Sequence, residues 1–297
     1  MTNIELIEAA IDENTGNIKT LSLPGNVKFG LEIEMEELSF EVTERRVQII
    51  DEELKCEGDL SLEKGGVEVV VPPLCNTKNN LLILKKLAKS LSDLRPHFNN
   101  CSFQINFDDN YTTEQRIDFM KLYSFFEDVI YRFSSGVNRE LRESIEVYAF
   151  PIYYDFAELL SKYPDNPEMV LKNFSNKKLF GINLKNKTKP NLIEFRTPNG
   201  TTNYHLWLNY INTFYYLMNA VKEANYDKEL VDYFIKNFIE FNNDYEEFFP
   251  YGPYYNLNIE KGLQFANLIF DDDYDKIHFL KQYIKRDQDE AKQYILH

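Results

Sequence analysis

The chain has 297 residues, with 48 Asp and Glu against 33 Lys and Arg, and the resulting net charge of −15 opposes sequence-independent binding to a nucleic-acid backbone. A hydrophobic share of 43%, with 23 Phe and 20 Tyr, is enough to build a core, so disorder is excluded as the main state. No apolar run approaches the ~20 residues of a membrane span, no N-terminal run resembles a signal peptide, and Cys56, Cys75 and Cys101 form no C-x-x-C, so the expectation is a soluble cytoplasmic protein with free thiols.

Residues 1–24 begin polar and end at "LSLPG", where Pro24 and Gly25 signal a turn into the first strong strand, "VKFGLEIEMEEL". The next stretch, "SFEVTERRVQII", reads as its hairpin partner, although "RRVQIIDEELK" also tolerates a helix. The turn signals "EGD" and "KGG" precede a β-branched run from Val67 to Val71, which Pro72 and Pro73 are expected to stop. "NNLLILKKLAKSLSDL" has apolar residues at helical spacing and ends near Pro96.

"CSFQINFDD" alternates strictly, with Phe103, Ile105 and Phe107 on one face and Gln104 and Asn106 on the other. A helix follows over "TTEQRIDFMKLYSFFEDVIYRFS", with Thr112 or Thr113 as its cap, and another surrounds "DFAELLSKY". "LFGINLKN" and "NLIEFRTPN" read as a strand pair joined by a polar turn. A long aromatic helix begins near Tyr204, and the pattern stays helical to the end apart from "FDDDYDK". Strands and helices do not alternate as βαβ units, which points to an α+β fold.

Phosphate-loop, zincin and nucleophile-elbow motifs are absent. His97 lies four residues before Cys101, but a structural zinc site usually shows paired short spacings. On the first strand, Glu32, Glu34 and Glu36 alternate with Leu31, Ile33 and Met35. Carboxylates two apart on a strand stand ~7 Å from each other, a repulsion of about 0.6 kcal/mol in water and about 2.4 kcal/mol at an effective dielectric of 20. An exposed row is therefore easily tolerated, whereas a buried row calls for cations.

The same spacing recurs as Gln104 with Asn106 and as Glu194 with Arg196, while Glu68 stands alone among valines, where an unpaired charge is expensive. If these strands share a sheet, its polar face gathers hard oxygen donors suited to Mg²⁺ and a cation suited to phosphate or carboxylate. Net negative charge does not oppose ATP, which needs only a local cluster of cations and Mg²⁺.

Taken in order, "FGLEIEME", "GDLSLEKGGVEVVVPPL", "CSFQINF" and "LFGINLKN…NLIEFRTPNGTTN" resemble the motifs of the amidoligase family, glutamine synthetase-like carboxylate-amine ligases. The resemblance covers about residues 27–220, leaving 1–26 as an N-terminal extension and 221–297 as a helical C-terminal part packed on the same domain. It implies a curved antiparallel sheet of the glutamine synthetase catalytic type, with packed helices, whose concave face binds Mg²⁺ and ATP. It also implies amide or isopeptide bond formation through an acyl phosphate, on a peptide, protein or amino-acid-like substrate.

In that pattern Glu32, Glu34, Glu68 and Glu194 correspond to metal ligands, and Arg196 contacts the transferring phosphoryl group. Glu34 and Arg196 are the expected catalytic pair. Gln104 joins the metal set, and Asn106, Arg139 and Lys178 join Arg196 in binding the nucleotide, with Arg142 a further cation for the triphosphate. Asp59 and Ser61 fall in a D-x-S-L-like turn, and Glu36 and Glu37 are expected to face solvent or lie at the periphery. The family's usual C-G-x-H-x-H strand reads here Cys101, Ser102, Phe103, Gln104, Ile105, Asn106, so carboxamides replace both histidines. Carboxamide oxygens can still ligate Mg²⁺. The replacement also fits a second reading, a catalytically silent relative that binds a peptide or nucleotide or serves as a scaffold. A third reading is a small-molecule ligase resembling glutamate-cysteine ligases.

Overall fold

The computed structural model describes residues 1–59, 62, 66–136, 141–174, 179–184, 191–241, 256–285 and 287–296. Its centre is one antiparallel sheet in which β1 (Lys28–Met35) pairs with β3 (Val67–Cys75) on one side and β4 (Phe103–Asp108) on the other. The strands β2 (Lys55–Gly58), β5 (Ile182–Asn183) and β6 (Leu192–Phe195) complete the order β2-β3-β1-β4-β6-β5. The α+β expectation holds.

Alternation along these strands decides what each face does. Leu31, Ile33, Val67, Val69, Phe103, Ile105, Phe107, Ile193 and Phe195 are all buried on one face. Across that face lies α9 (Tyr204–Lys222), which stacks Trp207 on Phe103 at 5.4 Å and Phe214 on Phe195 at 4.2 Å between ring centroids. Such aromatic pairs add about 0.5–1.5 kcal/mol each beyond the area they bury. The N-cap Asn203 accepts from the backbone N–H groups of His205 and Leu206, which starts α9 where the sequence predicts it.

A second layer of helices includes α4 (Thr113–Phe125), opened by a Thr112/Gln115 capping box, and α5 (Glu127–Ser134), which follows a break at Phe126. The helices α11 (Ile259–Ile269) and α12 (Asp273–Ile284) pack beside them. At the N-terminus α1 (Asn3–Ile11) buries Leu6, Ile7 and Ala10 against α12, so the segment read as an extension contributes to the same core as the sheet.

Two expectations are corrected. "SFEVTERRVQII" is not a strand: it is α2 (Phe40–Ile50), capped by Ser39, whose side chain accepts from Val42 N. Thr43 and Val47, one helical turn apart, are its buried residues, while Val42 and Ile49 are exposed; period 3.6 prevails because only that one stripe is covered. Nor do Pro72 and Pro73 stop β3, which continues to Cys75. The register slips there, from Val71 opposite Leu31 to Leu74 opposite Phe29, so the prolines occupy a bulge, where the ladder needs no N–H.

Candidate active site

Directly paired residues of an antiparallel sheet project to the same face. The register sets Glu34 opposite Glu68, Glu32 opposite Gln104, Asn106 opposite Glu194, and Glu194 opposite Asn183. Glu32, Glu34, Glu68, Gln104, Asn106 and Glu194 thus share the face that α9 leaves uncovered. Glu34 and Gln104 are buried, while Glu32, Glu68, Asn106, Glu194 and Arg196 are half-buried.

Glu32, Glu34 and Glu194 each have an amide neighbour that fixes them. Glu34 accepts from Ser102 N at 2.6 Å and from the Gln104 Nε2 group at 2.7 Å, and Gln104 also donates to Ser102 Oγ at 3.1 Å. Asn106 Nδ2 donates to Glu32 Oε1 at 3.0 Å, and Asn183 Nδ2 donates to Glu194 Oε2 at 2.8 Å. Arg196 Nε lies 3.9 Å from Glu194 Oε2. The two carboxamides that stand where the resemblance expects histidines therefore orient the glutamates through their N–H groups.

Glu32 and Glu68 are electrostatic neighbours on this face, and a proton held by one of them relieves their repulsion. Burial, then the neighbouring Glu194, raises the Glu32 carboxyl above the usual range. Burial, then the charges of Glu32, Glu34 and Asp59, pushes Glu68 up to about 8. Metal-free, the face thus holds more negative charge than it easily carries. Among the described residues no three His, Cys, Asp or Glu side chains form a ready-made metal cage. Mg²⁺ seldom uses one; it is commonly held by one or two carboxylates and completes its shell with water and phosphate oxygens, so this all-oxygen pair fits that ion.

Other expectations divide. Arg139, Lys178 and Ser61 lie outside the described residues. Arg142 is buried and is not a free cation for a triphosphate: its guanidinium donates to the carbonyls of Arg196 (2.6 Å), Thr197 (3.0 Å) and Pro198 (2.9 Å) and to Ser144 Oγ (3.0 Å). Burial lowers it to about 10, against the raising effect of Glu34. Glu36 is corrected as well, being 5% exposed, whereas Glu37 turns outward at φ 60°. Cys101 donates its thiol to His97 O at 3.6 Å, while the His97 ring lies out beside Glu37 at 3.6 Å, so this spacing makes no zinc pair.

Ser102 and Asn183 are site residues that the motif reading did not single out. Asn183 had the same signal as the others, a polar residue next to the inward-facing Ile182, but on a strand of only two residues. The chain matches no protein-family model and no curated protein sequence.

Proposed function

We propose that the protein is an ATP- and Mg²⁺-dependent carboxylate-amine ligase, built on a sheet of the glutamine synthetase type, acting in the cytoplasm on a peptide, protein or amino-acid-like substrate. The observation that carries the reading is the alignment of Glu32, Glu34, Glu68 and Glu194 with Arg196 on the sheet face turned away from α9. In the reaction a substrate carboxylate oxygen attacks the γ-phosphorus and ADP leaves. An amine nitrogen then forms the C–N bond as the C–O bond to phosphate breaks, and the amine proton passes to solvent.

Phosphoryl transfer needs positioning and charge neutralisation more than a protein nucleophile. Glu32 and Glu68 would hold Mg²⁺, which when bound neutralises phosphate oxygens. Glu34, fixed by two N–H donors, holds its charge in a set place beside that pair. Arg196, steadied by Glu194, offers a planar donor fork to the transferred phosphoryl group. Asn106 and Asn183 keep Glu32 and Glu194 from swinging away.

A second reading, binding without turnover, is favoured by one observation: Gln104 and Asn106 donate to the glutamates where the resemblance expects histidines. Incubation with ATP, Mg²⁺ and a panel of carboxylates, with hydroxylamine as trap, separates the two. Hydroxamate and ADP are expected. Mg²⁺-dependent nucleotide binding without either product supports the second reading, and neither binding nor product rejects both.

A further inference from the structure

The outer surface of α2 and of the helix α3 (Lys78–Ser92) departs from the acidic character of the chain. α3 carries four lysines and no acidic residue. Its Leu84, Leu87, Ala88 and Leu91 are buried in the core, while Lys78, Leu82, Lys85, Lys86 and Lys89 are exposed along about 16 Å of helix.

α2 packs beside α3 and widens this surface. Val42, Arg46 and Ile49 stand at helical spacing on an exposed stripe, apart from the buried pair Thr43 and Val47. Arg46 Nη1 donates to Ser90 O at 3.5 Å, and Ser90 follows Lys86 by one turn and Leu82 by two, so the two exposed rows meet. The acids of α2 are engaged elsewhere: Glu41 lies beside Ser39 and Arg45, and the charge of Glu44 acts on Cys56. Asp93 follows the end of α3, and Asp51, Glu52 and Glu53 follow the end of α2. Arg46, Lys78, Lys85, Lys86 and Lys89 make no ion pair among the described residues.

We infer that this face docks on the surface of a bilayer containing anionic lipid, an inference independent of the ligase reading. Aliphatic side chains can enter the headgroup layer while the ammonium groups beside them meet lipid phosphates and carboxylates. Ile49, 85% exposed, is the most exposed large apolar side chain among the described residues, and Leu82 and Val42 are exposed with it. An acidic protein is a poorer match, because protein interfaces favour Arg and aromatic groups over Lys, and four of these five cations are Lys. The net charge of −15 does not prevent docking. Charges farther from the bilayer than the Debye length, about 8 Å, are largely screened, whereas lysines at contact are not. The asymmetry therefore turns this face toward the membrane. Because the apolar side of α3 is buried in the core, attachment is peripheral and reversible.

Sedimentation of the full chain with vesicles of phosphatidylcholine, alone or with about 30% phosphatidylserine, tests this. Binding is expected only to the anionic vesicles and should fall as salt rises from about 50 mM to about 300 mM. Lys85→Gln, Lys86→Gln and Lys89→Gln combined should weaken it on the order of a hundredfold, at about fivefold per charge. Ile49→Ser should weaken it about tenfold, and both variants should keep the wild-type Tm. Absent binding, equal binding to both vesicle types, or binding that survives either variant overturns the bilayer. Polyglutamate and duplex DNA are titrated in parallel. Binding to one of these that is lost in the triple variant, kept in Ile49→Ser and unaccompanied by vesicle binding overturns the bilayer and assigns the face to an acidic macromolecule.

Discussion

Glu127 is 2% exposed, and its carboxylate accepts from the backbone N–H groups of Ile152 (2.6 Å) and Tyr153 (3.1 Å), capping from a distance the helix α7 (Tyr153–Lys162). Burial pushes its pKa up to about 8 despite those bonds. Since the folded value exceeds the unfolded one, its stabilising contribution is complete below about 4.5 and is lost as pH rises through about 8. Urea unfolding of wild type and Glu127→Gln from pH 5 to 9 should therefore show the wild type losing ground to the variant as pH rises. A pH-independent difference would remove Glu127 as the cause. At the candidate site, Glu34→Gln and Arg196→Ala should each lower hydroxamate formation by about 10²–10³-fold. Activity surviving in both would sink the assignment. The residues legible in the sequence were polar groups repeated two apart in an apolar stretch, and Glu68 because it is a lone charge among valines. Glu36 was not, because period two assigns a face but not what covers it.

At the scale of elements, α2 shows where pattern reading fails. "SFEVTERRVQII" carries apolar residues that serve either period, and its position between two strands suggested a hairpin. Coverage by β2 and by α3 (Lys78–Ser92) selects the Thr43–Val47 stripe, information that no single segment contains. Because Ser39 is its cap, Ser39→Ala should cost about 1 kcal/mol in urea unfolding. An unchanged midpoint would mean that the helix depends on packing alone. The sheet's two long central strands were readable because one face is dry and the other polar along their length. β3 was underestimated, since a proline pair reads as a stop unless the partner's register, with its bulge, is known.

The whole molecule carries −15, and the sheet face turned away from α9 concentrates glutamates, so the metal-free fold is stressed where it is proposed to act. Above pH 8, where Glu68 is ionised, Glu68→Gln removes a like charge of order 1 kcal/mol and should raise Tm by about 2 °C in EDTA. Mg²⁺ with ATP should raise the Tm of wild type and leave that of the variant unmoved. A variant less stable than wild type in EDTA would show that Glu68 supports the fold and does not strain it. The grip of Arg142 has a different consequence. Its guanidinium holds the carbonyls of Arg196, Thr197 and Pro198, while the amides of Arg196, Asn199 and Gly200 donate to Gly181 O, Ser134 O and Cys101 O. A strand, a helix end and a neighbouring chain segment are thereby riveted at one ribbon, with no small opening that frees only part of it. In hydrogen exchange these three amides should be released with the global unfolding free energy, as slowly as any in the protein. The platform beneath Arg196 is thus as permanent as the fold itself.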